Sequence, residues 1–414
     1  MGNGNIRGLR AVLILVASLL ILLSGDRVSG APSLVEYFVV GSSDYSGPYA
    51  DIMAAFNAGR KACLSWWNDN MGARIGVKLK FETYDSRYDT AVISANYPRL
   101  VAQFKPVAWL GLGGPDVAAL MRRAPEDRIP LVMGTAAYGY GWVPNSWVVQ
   151  PRPTYPHELA AFLRWYAQRR ADKSKPLRVG LINSDLPAYL DVGRGLEKWV
   201  RERGLRDGLV WGRTEFVPPL PVDLTASYRR FYDQQIDVSV VFGNVRQVTA
   251  SIDAMERLGK RIPIVVSAHN GITTIARALG GYERLDEVYE SFGLALPLEL
   301  NLPAVTQAWR RYGPPSPWSV DALFGCAQVL LTGAGVRRAV EKRGSVGLTG
   351  ADVYQAFANT IVTSQEMLGL TPDLRFTHEQ PFPHGARVRI GVVKNRRYML
   401  AASEWVPVPE LEKW

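Results

Sequence analysis

Residues 35–72 read VEYFVVGSSDYSGPYADIMAAFNAGRKACLSWWNDNMG, and this stretch decides the fold. Val35 to Val40 is an apolar, β-branched run of strand length. Gly41 to Gly47 is a small polar loop, and Pro48 opens a long amphipathic segment, its fixed φ suiting a first helical position. In an open α/β sheet such a loop lies at the carboxyl end of a strand, and the free N–H groups of the next helix point into the crevice where ligands bind. Ser42, Ser43, Asp44, Tyr45 and Ser46 therefore offer hydroxyls and helix N–H groups to the polar end of a ligand.

Outward from this unit, short apolar runs alternate with amphipathic ones. Strands are expected at Val77 to Thr83, Val107 to Gly111 and Ile129 to Gly134, separated by helices from Asp89 to Phe104 and Pro115 to Arg123. The proline-rich QPRPTYP from Gln150 reads as a crossing point into a second series of the same kind. That series places strands at Leu177 to Asn183, Val210 to Val217, Val238 to Phe242 and Ile262 to Val266. Tyr289 to Leu294 reads as the return to the first unit, and Val388 to Val393 with Tyr398 to Ala402 as a terminal hairpin. The fold class is α/β, with two doubly wound parallel-sheet lobes joined by a multi-strand hinge. The first lobe takes residues 31–150 plus 293–388, and the second 151–292 plus 389–414. A hinge between two such lobes closes a cleft on a small ligand.

At the N-terminus Arg7 and Arg10 precede an uninterrupted apolar run, Ala11 to Leu23, followed by small and polar residues. This is the pattern of a secretory signal peptide over residues 1–30, too short for a membrane span, with a retained anchor as the alternative. No cysteine follows the run, so a lipid-anchored form is not indicated, and a periplasmic location is expected. The formal charge of +10 falls to about +8 without Arg7, Arg10, Asp26 and Arg27. The arginines are scattered, which reads as a solvated basic surface and not as a nucleic-acid stripe. Cys63 and Cys326 match no metal or redox spacing. They offer at most one long-range disulfide, and we read them as buried free thiols.

Candidate chemistry is sparse. Gly111-Leu112-Gly113-Gly114-Pro115-Asp116 follows a strand and opens a helix as a dinucleotide fingerprint would, but ends in Asp116 with no acidic partner closing a following strand. It reads as a tight turn whose backbone N–H groups face the cleft as an anion or carbonyl site. His157, His269, His378 and His384 are dispersed, and no nucleophile elbow is present, so neither metal, cofactor nor catalytic set is expected. Tyr138, Tyr140 and Trp142 alternate with glycines after a strand; they read as a stacking wall for a ligand or as hinge packing. Trp66 and Trp67 end an amphipathic helix and read as packing.

The opening SSDYSGPYADIMAAFNAGRKACLSWWNDNMG resembles that of periplasmic type I solute-binding proteins of the leucine/isoleucine/valine-binding family. Further similar segments follow in order: Tyr84 to Thr90, GLGGPDVAAL, Ile129 to Val132, SDLPAYLDVGRGLEKWV, VDLTASYRRFYDQQIDVSVVFG and VRIGVVKNRRYML. The resemblance implies the two-lobe fold, capture of a small solute and delivery to an ABC permease, by a monomer that is not an enzyme. Its site maps onto Tyr45, Ser46, Gly113, Gly114, Thr135, Ala137, Tyr138, Tyr189, Asn244 and Asn270. Gly114 stands at the position resembling the serine that holds an amino acid's carboxylate, and Ala137 at the adjacent threonine. The acid that holds the ammonium is replaced by Asn270 or His269, whereas Tyr189 keeps the family's second-lobe tyrosine. Burying an ammonium without its partner costs about several kcal/mol, on the order of a thousandfold in affinity. An aromatic acid or another bulky, weakly polar solute is therefore expected, with a branched-chain amino acid or amide, or a ligand sensor of the same fold, as alternatives.

Overall fold

The structure, a computed structural model, is described for residues 34–134, 145–267, 270–299, 303–315, 318–377 and 382–411. The first sheet contains β1 (Val35–Ser43), β2 (Val77–Asp85), β3 (Ala108–Gly111), β4 (Leu131–Met133) and β5 (Val148–Val149). Their order is β2-β1-β3-β4-β5, and every pairing is parallel. Helices α1 (Ala50–Trp67), α2 (Thr90–Phe104), α3 (Gly114–Leu120) and α4 (Arg123–Asp127) make the crossovers. The continuous apolar run of β1 is explained by helices on both faces of the sheet: Val39 packs with α1, and Val40 with α2 and α3.

The chain enters the second lobe through α5 (Tyr155–Arg169) and builds β6 (Leu177–Asn183), β7 (Leu209–Phe216), β8 (Val238–Phe242), β9 (Ile264–Ser267) and β10 (Val288–Phe292). Helices α6 (Pro187–Glu202), α7 (Thr225–Asp233), α8 (Val245–Arg257) and α9 (Ile272–Leu279) connect them. It then returns to the first lobe for α10 (Pro303–Tyr312), α11 (Val320–Arg343), α12 (Gly350–Gln355) and the antiparallel pair β11 (Thr360–Val362) and β12 (Leu374–Phe376). It ends in the second sheet with β13 (Arg387–Lys394), β14 (Arg397–Leu400) and β15 (Val406–Pro407). That sheet runs β14-β13-β10-β9-β8-β6-β7, parallel from β7 through β10 and antiparallel beyond. The return to the first lobe lies after β10, where Ala295 N–H donates to Leu370 O.

In each sheet the strand order reverses once, between β1 and β3 in the first and between β6 and β8 in the second. These switch points set the loops 44–49, 112–113, 184–186 and 243–244 at the carboxyl ends of their strands, which is where open α/β sheets bind ligands.

Helix α11 lies directly against α1. Gly59 and Gly325 mark the crossing: a Cβ on Gly59 would stand 1.9 Å from Ala322 O, and one on Gly325 2.1 Å from Phe56 O. The close approach corrects our reading of the cysteines as free thiols. Cys63 and Cys326 form a disulfide with Cα atoms 5.2 Å apart. Nothing in helical periodicity links residues 263 positions apart; the glycine crossing brings their Cβ atoms into bonding range.

Candidate functional site

The loop after β1 is closed on itself. Asp44, fully buried, accepts the N–H of Gly47 at 2.6 Å and of Tyr49 at 2.8 Å, so its carboxylate occupies the amino end of α1. A Cβ on Gly47 would stand 2.4 Å from Asp44 Oδ1, which is why that position takes glycine. Tyr45 N–H and Ser46 Oγ donate to Asp85 at 2.9 and 2.6 Å, and both side chains are exposed. Ser42 Oγ donates to Asp116 Oδ1 at 2.5 Å, and Ser43 bonds Thr83 at 2.7 Å.

Asp116 acts in the same way on the turn after β3. Its Oδ2 accepts the N–H groups of Leu112 and Gly113 at 2.9 and 3.2 Å, and burial pushes its carboxyl above the usual range. These donors face an internal carboxyl oxygen. A Cβ on Gly113 would stand 2.4 Å from the Tyr88 hydroxyl, so that ring covers the turn, while Gly114 begins α3 and is buried. Beneath both loops Arg60 donates to Ser42 O at 2.9 Å and to Gln328 Oε1 at 2.8 Å. Gln328 in turn donates to Gly111 O and Val132 O at 2.8 and 2.7 Å. This buried bracket answers the carbonyls where β1, β3 and β4 end and fixes the floor of the first lobe.

On the second lobe Asn183 Nδ2 donates to Tyr189 O at 2.9 Å and holds the first turn of α6 against β6. Asn244 is the N-cap of α8, in a reciprocal capping box with Gln247, and its Nδ2 donates to Pro219 O at 2.8 Å. Asn270, fully buried after β9, donates weakly to Val241 O at 3.4 Å, and its Oδ1 has no hydrogen-bond partner among the described residues.

The lobes meet through aromatic rings. Tyr49 of the first lobe and Tyr189 of the second share a hydroxyl–hydroxyl bond. Tyr88 lies edge-on to Tyr49 at 4.5 Å, and Phe242 contacts both Tyr189 at 5.3 Å and Tyr155 at 5.1 Å. Tyr49 and Ile52 are thus built into the apolar cluster of the second lobe. Burial, with Tyr189 alongside, holds the Tyr49 phenol well above its ordinary pKa, so Tyr49 enters the contact as a neutral hydroxyl.

The first hinge crossing carries a buried ion pair. Arg152 Nε and Nη2 donate to Glu158 at 2.7 and 2.5 Å, and Ser267 Oγ and Gly293 N–H donate to the same carboxylate at 2.8 and 2.7 Å. One carboxylate therefore ties together two crossings and the end of β9.

Of the sequence candidates, Tyr189 stands at the interlobe contact, Asn270 at the adjacent strand end, and Tyr45, Ser46, Gly113 and Asn244 in bonds internal to their own lobes. Thr135, Ala137 and Tyr138, with Tyr140, Trp142 and His269, lie outside the described residues. Sequence reasoning missed Tyr49, Tyr88, Tyr155, Phe242, Arg152 and Glu158. The available signal was position: Tyr49 follows the helix-opening proline, and Arg152 and Tyr155 lie inside the segment read as linker. Among the described residues no group of three or more His, Cys, Asp or Glu is placed to hold a metal ion, and no helix is long and apolar enough to cross a membrane.

A family profile described as "Periplasmic binding protein" matches residues 37–381. No curated protein sequence matches the chain. Among solved structures, a branched-chain amino acid ABC transporter protein from Thermus thermophilus with bound valine superposes with a TM-score of 0.77 at 19% identity, covering 91% of this chain and 97% of that one. A fatty acid ABC transporter substrate-binding protein from Thermomonospora curvata reaches 0.70 at 15% identity, covering 91% and 97%. A branched-chain amino acid transporter substrate-binding protein from Streptococcus pneumoniae in complex with isoleucine reaches 0.68 at 16%, covering 90% and 100%. With the profile spanning both lobes, the chain belongs to the periplasmic binding protein family and has the type I fold.

Proposed function

We propose that this protein captures a bulky, weakly polar organic solute, such as an aromatic acid, between its lobes and delivers it to an ABC permease. Residues 1–30 act as the export signal, and the mature protein works as a periplasmic monomer. Its lobes are residues 31–150 with 293–388 and 151–292 with 389–414, the last boundary falling inside β13. The observation that carries the reading is the burial of Tyr49 and Ile52 of the first lobe within the aromatic cluster of Tyr155, Tyr189 and Phe242. A cleft walled by tyrosine and phenylalanine favours flat or extended apolar bodies with few polar ends.

The polar groups nearest the cleft in the first lobe support the same reading. Asp44 and Asp116 take up the loop N–H groups that an α-amino acid's carboxylate would use. The structural neighbours that carry valine and isoleucine make a branched-chain amino acid the competing ligand. Calorimetric titration of the mature protein separates the two. Aromatic carboxylates are expected to bind and leucine and valine are not; tight binding of leucine or valine with no aromatic response would sink the proposal.

A further inference from the structure

Resting on that reading, we propose that Arg152 is the ligand's recognition residue: its Nη1 receives the carboxylate of a monocarboxylate whose apolar body lies among the cleft aromatics. Arg152 has no solvent exposure, and Nη1 has no hydrogen-bond partner among the described residues. An orphaned guanidinium N–H in the interior is costly, because the donor loses water and gains nothing in return. The rest of the side chain is fully engaged. Nε and Nη2 are held by Glu158, and the guanidinium carbon lies 4.2 Å from the ring centre of Phe324, 5.1 Å from Tyr155 and 5.4 Å from Phe292.

The position suits a ligand end. Arg152 lies on the first hinge crossing, and its Tyr155 neighbour touches Phe242, which touches Tyr189, which bonds Tyr49. An unbroken line of aromatic contacts thus leads from the guanidinium in the hinge to the tyrosine pair that joins the lobes. A solute lying along this line would keep its apolar body against the rings and its acid end on Nη1.

The ion pair is neutral overall, so Nη1 offers a directed donor and not net charge. Glu158 also accepts from Ser267 Oγ and Gly293 N–H, so its carboxylate is satisfied without Nη1. The same contacts hold the guanidinium plane in place before any ligand arrives, which spares the ordering of a long side chain on binding.

The test compares each acid with a neutral isostere. The mature protein is titrated by calorimetry with benzoate, phenylacetate and octanoate, each beside its carboxamide, and with leucine and valine. At least one acid is expected to bind about 10- to 100-fold more tightly than its amide, the range of a hydrogen bond to a charged group. Arg152→Lys keeps a cation for Glu158 but removes Nη1, and is expected to shrink that preference to under about threefold. If this variant does not fold, Arg152→Gln combined with Glu158→Gln removes both charges together and is expected to lose the preference equally. Amides binding as tightly as acids would overturn the role of Arg152 while leaving a weakly polar cleft ligand in place. A preference that survives both variants would overturn it as well. Binding of leucine or valine alone, or of nothing in the panel, would overturn this inference together with the proposed ligand class.

Discussion

The hydroxyls of Tyr49 and Tyr189, 140 residues apart in sequence, bond to each other between the lobes. Tyr49 is the N-cap residue of α1 and Tyr189 lies in the first turn of α6, so the bond connects the amino ends of the helices that follow the first strand of each sheet. Those ends stand at the two topological switch points, so the bond ties the two walls of the cleft to each other.

Tyr49→Phe and Tyr189→Phe each remove that bond while keeping the ring. A net loss of about 1 kcal/mol is expected in the closed state, or about a fivefold weaker apparent affinity for the cleft ligand. Calorimetry measures the affinity, and small-angle scattering of the ligand-free variants should show a larger radius of gyration than the wild type. The double variant should cost no more than either single one, because all three lack the same bond.

The Cys63–Cys326 disulfide joins α1 to α11 wholly inside the first lobe. Replacing both cysteines by serine is expected to lower unfolding stability by about 2 to 4 kcal/mol, chiefly through a less constrained unfolded chain. Ligand affinity should hardly change, since the bond does not cross the cleft. Urea unfolding with and without reductant checks the first expectation, and titration of the serine variant the second.

Gly59→Ala tests the crossing that makes the disulfide reachable. The new methyl group would stand 1.9 Å from Ala322 O, a backbone atom of the facing helix that cannot swing aside. The helices must part, at about 1 to 3 kcal/mol or more. Gly325→Ala meets Phe56 O at 2.1 Å and should behave alike. Thermal melts rank these variants against an Ala54→Ser control on the exposed face of the same helix, which should lie within about 0.5 kcal/mol of wild type.

Most of the scaffold was legible from residue patterns because each βα unit is local. β6 and β8 start and end where the apolar runs do, and Asp89 caps α2 one residue before its first turn. The site was legible only in part. Tyr189 could be placed from its neighbours, but the partners of Tyr49 and Arg152 are set by tertiary contacts that no local pattern carries. The serine and glycine loops looked open in sequence because the buried Asp44 and Asp116 that fill them read as ordinary loop and helix-start acids. The disulfide stayed hidden because a helix–helix crossing, and not Cys spacing, brings its ends together.

Asp321 supplies the last prediction. It stands in the first turn of α11, fully buried, and its Oδ2 accepts hydrogen bonds from Thr274 on α9 at 3.2 Å and from Ser319 at 3.4 Å. Burial above all pushes its carboxyl up to about 7; Asp51 pushes the same way, while the Thr274 and Ser319 bonds and Arg277 act against it. The folded protein therefore holds this proton at pH values where the unfolded chain, with a carboxyl near 3.8, has lost it. By linkage the contribution is fully present below about pH 4, declines as pH rises, and is gone above about pH 7. Asp321→Asn keeps an acceptor for Thr274 without a titrating proton. The variant should match wild type near pH 4 and exceed it at pH 8, on the order of 2 to 4 kcal/mol. Denaturant unfolding at both pH values measures the gap, and an equal difference at pH 4 and pH 8 would show that Asp321 does not titrate in this range.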